Sequence, residues 1–202
     1  MADYRTCNRR NENISIFHIA EGKIASYEAQ QTDPALTRAN LLVGQWTFHE
    51  TIINSFTDII KMTTIRDAKV TSGVYTGEYF VDGQNPSTQK PAIGAFHPDL
   101  NTYVILSGLT TDSFMDSYYF NINGTNVSNG CYYMYFPNTA TLSPCYTLTG
   151  TKSTLVARAE ALQEHNEALK MAEATGLQKA LPVTPEEQAV IDNIQDMLSE
   201  LK

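Results

Sequence analysis

The chain has 202 residues, 42% of them hydrophobic and 18% charged, and its 14 Lys and Arg against 22 Asp and Glu leave a net charge of -8. That length suits one globular domain with an appendage or two small domains, and the apolar fraction sets aside a disordered chain. With 11 Gly and 8 Pro a collagen-like or Pro/Gly-rich fibre is excluded, and the acidic balance argues against a surface that wraps phosphates, so nucleic acid is not an expected partner.

Composition divides the chain into an N-terminal arm (1–40), a central region (41–152) and a C-terminal tail (153–202). In the arm, Ile16, Ala20, Ile24 and Tyr27 fit a helical stripe, and Asp33-Pro34 reads as the cap and first position of a short helix through Leu42. The first twenty residues lack the apolar run of a secretory signal, and no window approaches the roughly 20 apolar residues of a membrane span. A soluble, cytoplasmic protein is therefore the expectation.

The central region holds 17 of the 20 aromatic residues and nine of the 11 glycines. Segments rich in Tyr, Phe, Val, Ile and Thr alternate there with turn clusters, which predicts eight strands near 44–51, 57–65, 73–81, 92–96, 102–106, 113–122, 130–136 and 145–151. Asp82-Gly83, Asn123-Gly124 and Asn129-Gly130 read as tight turns, and Pro86, Pro98, Pro137 and Pro144 as strand breaks. Short connections of this kind imply an antiparallel meander, closed as a mainly β, eight-stranded barrel. Tyr118, Phe120 and Ile122 alternate with Tyr119 and Asn121, so both faces of that strand are bulky and neither meets water alone.

The tail changes period. Leu155, Ala159, Leu162, Leu169 and Ala172 share one stripe, stopped by Gly176; Thr184-Pro-Glu-Glu187 is a capping box, followed by an apolar stripe of Val190, Ile191, Ile194, Met197, Leu198 and Leu201. Two amphipathic helices are predicted, forming a C-terminal helical hairpin. Neither is stable alone, so residues 153–202 are expected to pack on the barrel or to mediate a homo-oligomer or a protein contact. Three cysteines, Cys7, Cys131 and Cys145, show no Cys-x-x-Cys spacing, from which neither a disulfide framework nor a metal site is expected. Asn123-Gly-Thr125 and Asn126-Val-Ser128 match the glycosylation pattern but are read as turn chemistry.

Gly44-Gln45-Trp46, opening the first strand after a short helix, resembles the Gly-x-Trp signature of lipocalin-like and avidin-like (calycin-type) barrels. Tyr75-Thr76-Gly77-Glu78-Tyr79 resembles the Thr-Gly-x-Tyr strand of the avidin-like family, and Tyr146 to Thr151 its closing strand. The resemblance covers residues 41–152 and implies a barrel plugged at one end by Trp46, with Tyr79 matching a ligand-contacting tyrosine. It does not carry over the polar cradle for biotin, because Phe48 and Ile52 occupy the two positions that would supply it. Trp46 is also the only tryptophan where the family uses several.

Ligand-binding candidates within the barrel are Trp46, His49, Tyr79, Tyr118, Tyr133 and Tyr135. Of His49 and Glu50, neighbours with opposite side-chain directions, whichever turns inward at the barrel mouth can bond a ligand. The tyrosines offer apolar rings with polar tips, suited to lining a pocket or filling a core. Asp112, Asp116 and Glu78 are candidate carboxylates for acid–base chemistry. No nucleophile motif, phosphate loop or metal-ligand spacing occurs, so no cofactor is expected. These features predict a non-enzymatic barrel that binds a small apolar or aromatic ligand or a protein. The alternatives are an isomerase- or cyclase-type cavity enzyme acting on a hydrophobic substrate, and a structural subunit with a solid barrel.

Overall fold

The computed structural model describes residues 33–51, 56–153 and 184–201. Helix α1 (Pro34–Leu42) is followed by strands β1 (Gly44–Glu50), β2 (Phe56–Lys69), β3 (Tyr79–Gln84), β4 (Pro91–His97), β5 (Thr102–Ser107), β6 (Met115–Asn123), β7 (Asn126–Phe136), β8 (Thr141–Leu142) and β9 (Tyr146–Ser153), then helix α2 (Pro185–Glu200). Strands β1 to β7 pair antiparallel in chain order. β9 slots between β7 and β1, so eight strands close into a barrel, and the two-residue β8 adds a short rung to β7.

Both helices begin as their sequences dictate. Asp33 accepts the Ala35 amide (3.0 Å) ahead of Pro34, and Thr184 and Glu187 exchange both bonds of a capping box. The predicted 155–175 helix lies outside the described residues, as do the candidate N-terminal stripe and Ile52.

Three predicted turns and strands are placed differently. The 73–81 strand begins only at Tyr79, because Gly73 (φ 78°) and Gly77 (φ 89°) hold residues 70–78 in a loop closed by Gly77 N–H donating to the Val70 carbonyl (2.8 Å). Asp82-Gly83 lies inside β3, with the reversal supplied by residues 86–88, whose Ser87 and Thr88 amides donate to the Asn85 side chain. Asn129-Gly130 is a bulge within β7: Asn129 takes φ 48°, the register with β9 shifts there, and a Cβ on Gly130 would lie 2.4 Å from the Leu148 carbonyl oxygen. The hairpin turn is at Gly124-Thr125.

The cysteine expectation is also corrected, since Cys131 and Cys145 form a disulfide (Cα–Cα 5.5 Å). The β7–β9 register sets Tyr132 opposite Tyr146, which brings these two cysteines alongside each other. A contact created by register leaves no spacing signature in sequence.

Period-two alternation sorts the side chains into two apolar clusters. Trp46, Phe48, Ile60, Met62, Ile105, Tyr118, Phe120 and Tyr132 fill the interior, while Phe80, Ile93, Val104, Leu106, Met115, Tyr119 and Tyr135 form an outer patch. Helix α2 lies on that patch with Val190, Ile191, Ile194 and Met197 buried. The stripe therefore packs on the barrel of its own chain.

A buried side-chain pair, His97 and Asn193, is among the polar contacts that cross this interface. Buried His97 accepts the Leu100 amide at Nδ1 (3.2 Å), so its Nε2–H donates to Asn193 Oδ1 (2.8 Å). Removing the acceptor with Asn193→Ala would strand a buried N–H. We expect a loss of about 1–3 kcal/mol in urea unfolding monitored by circular dichroism.

Candidate functional site

Along β1 the inward side chains Trp46, Phe48 and Glu50 run from the α1 end of the barrel to the opposite end. The α1 end is apolar and filled. Trp46 is fully buried, donates Nε1–H to the Leu42 carbonyl (2.8 Å) and meets Phe120 at 5.3 Å between ring centres. Phe48 stacks on Tyr118 at 4.5 Å with planes 16° apart.

Chemistry changes two residues further on. Glu50, Asp58 and Asp116 come from β1, β2 and β6 with relative exposures of 0%, 1% and 3%. Asp58 accepts from the Tyr118 hydroxyl and from Asn85 Nδ2 (2.6 Å), and its Oδ1 also accepts the Ile59 amide (2.9 Å). Asp116 Oδ1 accepts the Tyr132 hydroxyl (2.7 Å). Burial pushes both phenols well above the usual tyrosine range, and the carboxylates Asp58, Asp116 and Glu50 add to the rise because a phenolate there would face like charge. Both hydroxyls therefore remain protonated donors. The result is a closed acceptor-rich pole walled by aromatic rings, with Phe56 edge-on to Tyr132 at 5.8 Å. Among the described residues no group of three or more His, Cys, Asp or Glu is placed to hold a metal ion.

Of the six sequence-predicted site residues, Trp46 and Tyr118 share the interior. His49 faces outward and exposed, with Nδ1 bonded to the Thr57 hydroxyl (2.9 Å); its neighbour Glu50 is the inward member of the pair. Tyr79 is half-buried at the α1 end, where its hydroxyl donates to Asp33 Oδ2 (3.2 Å). Tyr133 and Tyr135 lie on the outer wall beside α2. Among the candidate carboxylates only Asp116 points inward. Asp112 pairs with Lys90 (3.0 Å), and Glu78 pairs with Arg38.

Asp58 and Asn85 were not singled out from sequence. The signal for Asp58 was present, since Phe56, Asp58, Ile60 and Met62 occupy alternate positions and so share the buried face. None of the protein-family models, curated proteins or solved structures compared with this chain matches it.

Proposed function

We propose that the protein is a small-molecule-binding barrel whose ligand has an apolar or aromatic body and a head rich in hydrogen-bond donors. The observation that carries this reading is the carboxylate pole formed by Glu50, Asp58 and Asp116. Burying carboxylates is costly, and a barrel built only for stability would continue the apolar packing of its other end. Side chains that break a local packing rule mark function more often than architecture. Nothing in the pole requires a covalent step; Tyr118 and Tyr132 orient Asp58 and Asp116, and carboxylate oxygens are acceptors suited to a ligand's N–H or O–H groups.

A second reading has its own support. The ring contacts among Trp46, Phe48, Tyr118 and Phe120 are as close as in any protein core, which favours a solid barrel serving as a structural unit.

Trp46 distinguishes the two, because it is the sole tryptophan of the chain and lies inside the barrel. Titration with 2-phenylethylamine, which has an aromatic body and an ammonium head, is expected to change Trp46 emission saturably, whereas phenylacetate is not. Asp58→Asn and Asp116→Asn should each weaken the amine about tenfold, in line with the loss of one charge-assisted hydrogen bond. Flat emission with both compounds would leave the solid barrel as the better account.

A further inference from the structure

The chain contains two Asn-Gly pairs, Asn123-Gly124 and Asn129-Gly130, and both asparagines are exposed. An asparagine followed by glycine can cyclise, because the glycine nitrogen has no adjoining Cβ to shield it and can reach the side-chain carbonyl carbon. The two pairs share a sequence but not a backbone setting.

Asn123 ends β6 and Asn126 begins β7, so Gly124 and Thr125 alone make the turn between them. Gly124 takes φ 63° and Thr125 has no positive φ, the pattern of a type II′ turn with glycine first. Among the described residues, a Cβ on Gly124 would meet nothing within 4 Å. The last ladder pair is Asn123 with Asn126, and the Gly124 amide stands beyond it. Ring closure at this site requires only that the hairpin tip fray.

Asn129-Gly130 is held inside the sheet. Asn129 takes φ 48° at the bulge in β7, and Gly130 is paired with Leu148 of β9. A Cβ on Gly130 would lie 2.4 Å from the Leu148 carbonyl oxygen and 2.8 Å from the Leu148 Cβ, so the two backbones are in close contact. The next residue, Cys131, is tied to Cys145 by the disulfide. Cyclisation of this pair would drive its peptide against β9 and must wait for the β7–β9 seam to open.

We propose that Asn123 is a site of self-modification, at which the native hairpin converts asparagine to aspartate and isoaspartate, while the fold protects Asn129. The Gly124 nitrogen bonds to Asn123 Cγ and gives up its proton, and the Cγ–Nδ2 bond breaks with ammonia as the leaving group. Water then opens the cyclic imide, at Cγ to give aspartate or at the former main-chain carbonyl to give isoaspartate. One water is consumed and one ammonia released. Residues 117–151 contain no Asp, Glu, Lys, Arg or His, so the new carboxylate is the first charge in that stretch and adds one negative charge to the net -8. Isoaspartate also inserts a methylene into the main chain beside the Asn123–Asn126 pair, which lengthens one arm of the hairpin.

The test is incubation of the full chain in mildly alkaline buffer, with and without denaturing urea, followed by peptide-mapping mass spectrometry and enzymatic methylation of isoaspartate. In the native chain Asn123 is expected to gain one dalton about tenfold faster than Asn129. In urea the two sites should react at comparable rates, because each is then a plain Asn-Gly pair. Asn123→Gln, whose longer side chain would have to close a larger ring, should remove the native-state product and leave Asn129 protected. The proposal is overturned if Asn123 stays intact in the native chain, if Asn129 reacts there as fast as Asn123, or if the difference between them persists in urea, which would assign it to sequence and not to the fold.

Discussion

Above pH 10 the folded state is expected to lose stability at about 5 kcal/mol per pH unit, and the protein to unfold cooperatively within one to two units of that point. Four phenols carry the effect: burial raises Tyr75, Tyr118 and Tyr132 well above the usual tyrosine range, and raises Tyr119 as well. The sign follows from proton linkage. Unfolded tyrosines release their protons near pH 10 while the folded ones hold theirs, so the unfolded state binds fewer protons and gains with rising pH. Each tyrosine contributes about 1.4 kcal/mol per unit for as long as its folded form stays protonated. Below pH 10 the four make no pH-dependent contribution. Tyrosinate absorbance recorded with far-ultraviolet circular dichroism checks this. The absorbance from these rings should rise only as the barrel unfolds, and a gradual rise before any loss of strand signal would show that they are accessible.

Replacing Trp46 by alanine is the substitution with the largest expected cost, about 3–5 kcal/mol in urea unfolding. The indole is fully buried among Phe48 and Phe120 and its Nε1–H occupies the Leu42 carbonyl at 2.8 Å. Truncation opens a cavity and also leaves a buried helix-terminal carbonyl without its donor. Trp46→Phe keeps the ring but not the N–H, so it should recover most of the packing contribution and leave about 1 kcal/mol of loss. A full loss in Trp46→Phe would assign the dominant role to the hydrogen bond.

The strands were legible where alternation and turn residues agreed. Tyr118, Phe120, Tyr119 and Asn121 fall on the faces their spacing predicts, and the Asp33-Pro34 and Thr184-Pro185 helix starts hold because capping is local chemistry. Two-residue signals failed where the same pair serves more than one backbone device. Asn129-Gly130 suits a turn or a bulge, and only its register against Leu148 decides which. The site was legible in part. Sequence placed His49 and Glu50 on opposite faces, but which one faces inward depends on the closure of β1 against β9. Tyr133 and Tyr135 resemble interior residues because the outer wall is also buried, and that burial is created by α2, far along the chain. Asp58 was missed because an acid in a strand is ordinarily solvated, and its buried partners come from β6 and the residue that follows β3.

Closure of the sheet has a further consequence for chain connectivity. At the α1 end Gln45 is paired with Ser153, so the first and last strands of the barrel start and finish side by side. The hydrogen-bonded ring is thus nearly a covalent one, and for the strands alone, without helices α1 and α2, a short peptide joining Ser153 to Gln45 would bridge neighbouring positions without crossing the molecule. New termini could then be opened at the exposed Gly124-Thr125 turn, where no ladder bond of the β6–β7 hairpin is interrupted. A circular permutant of this kind would retain every strand pairing, its order of synthesis rotated by six strands.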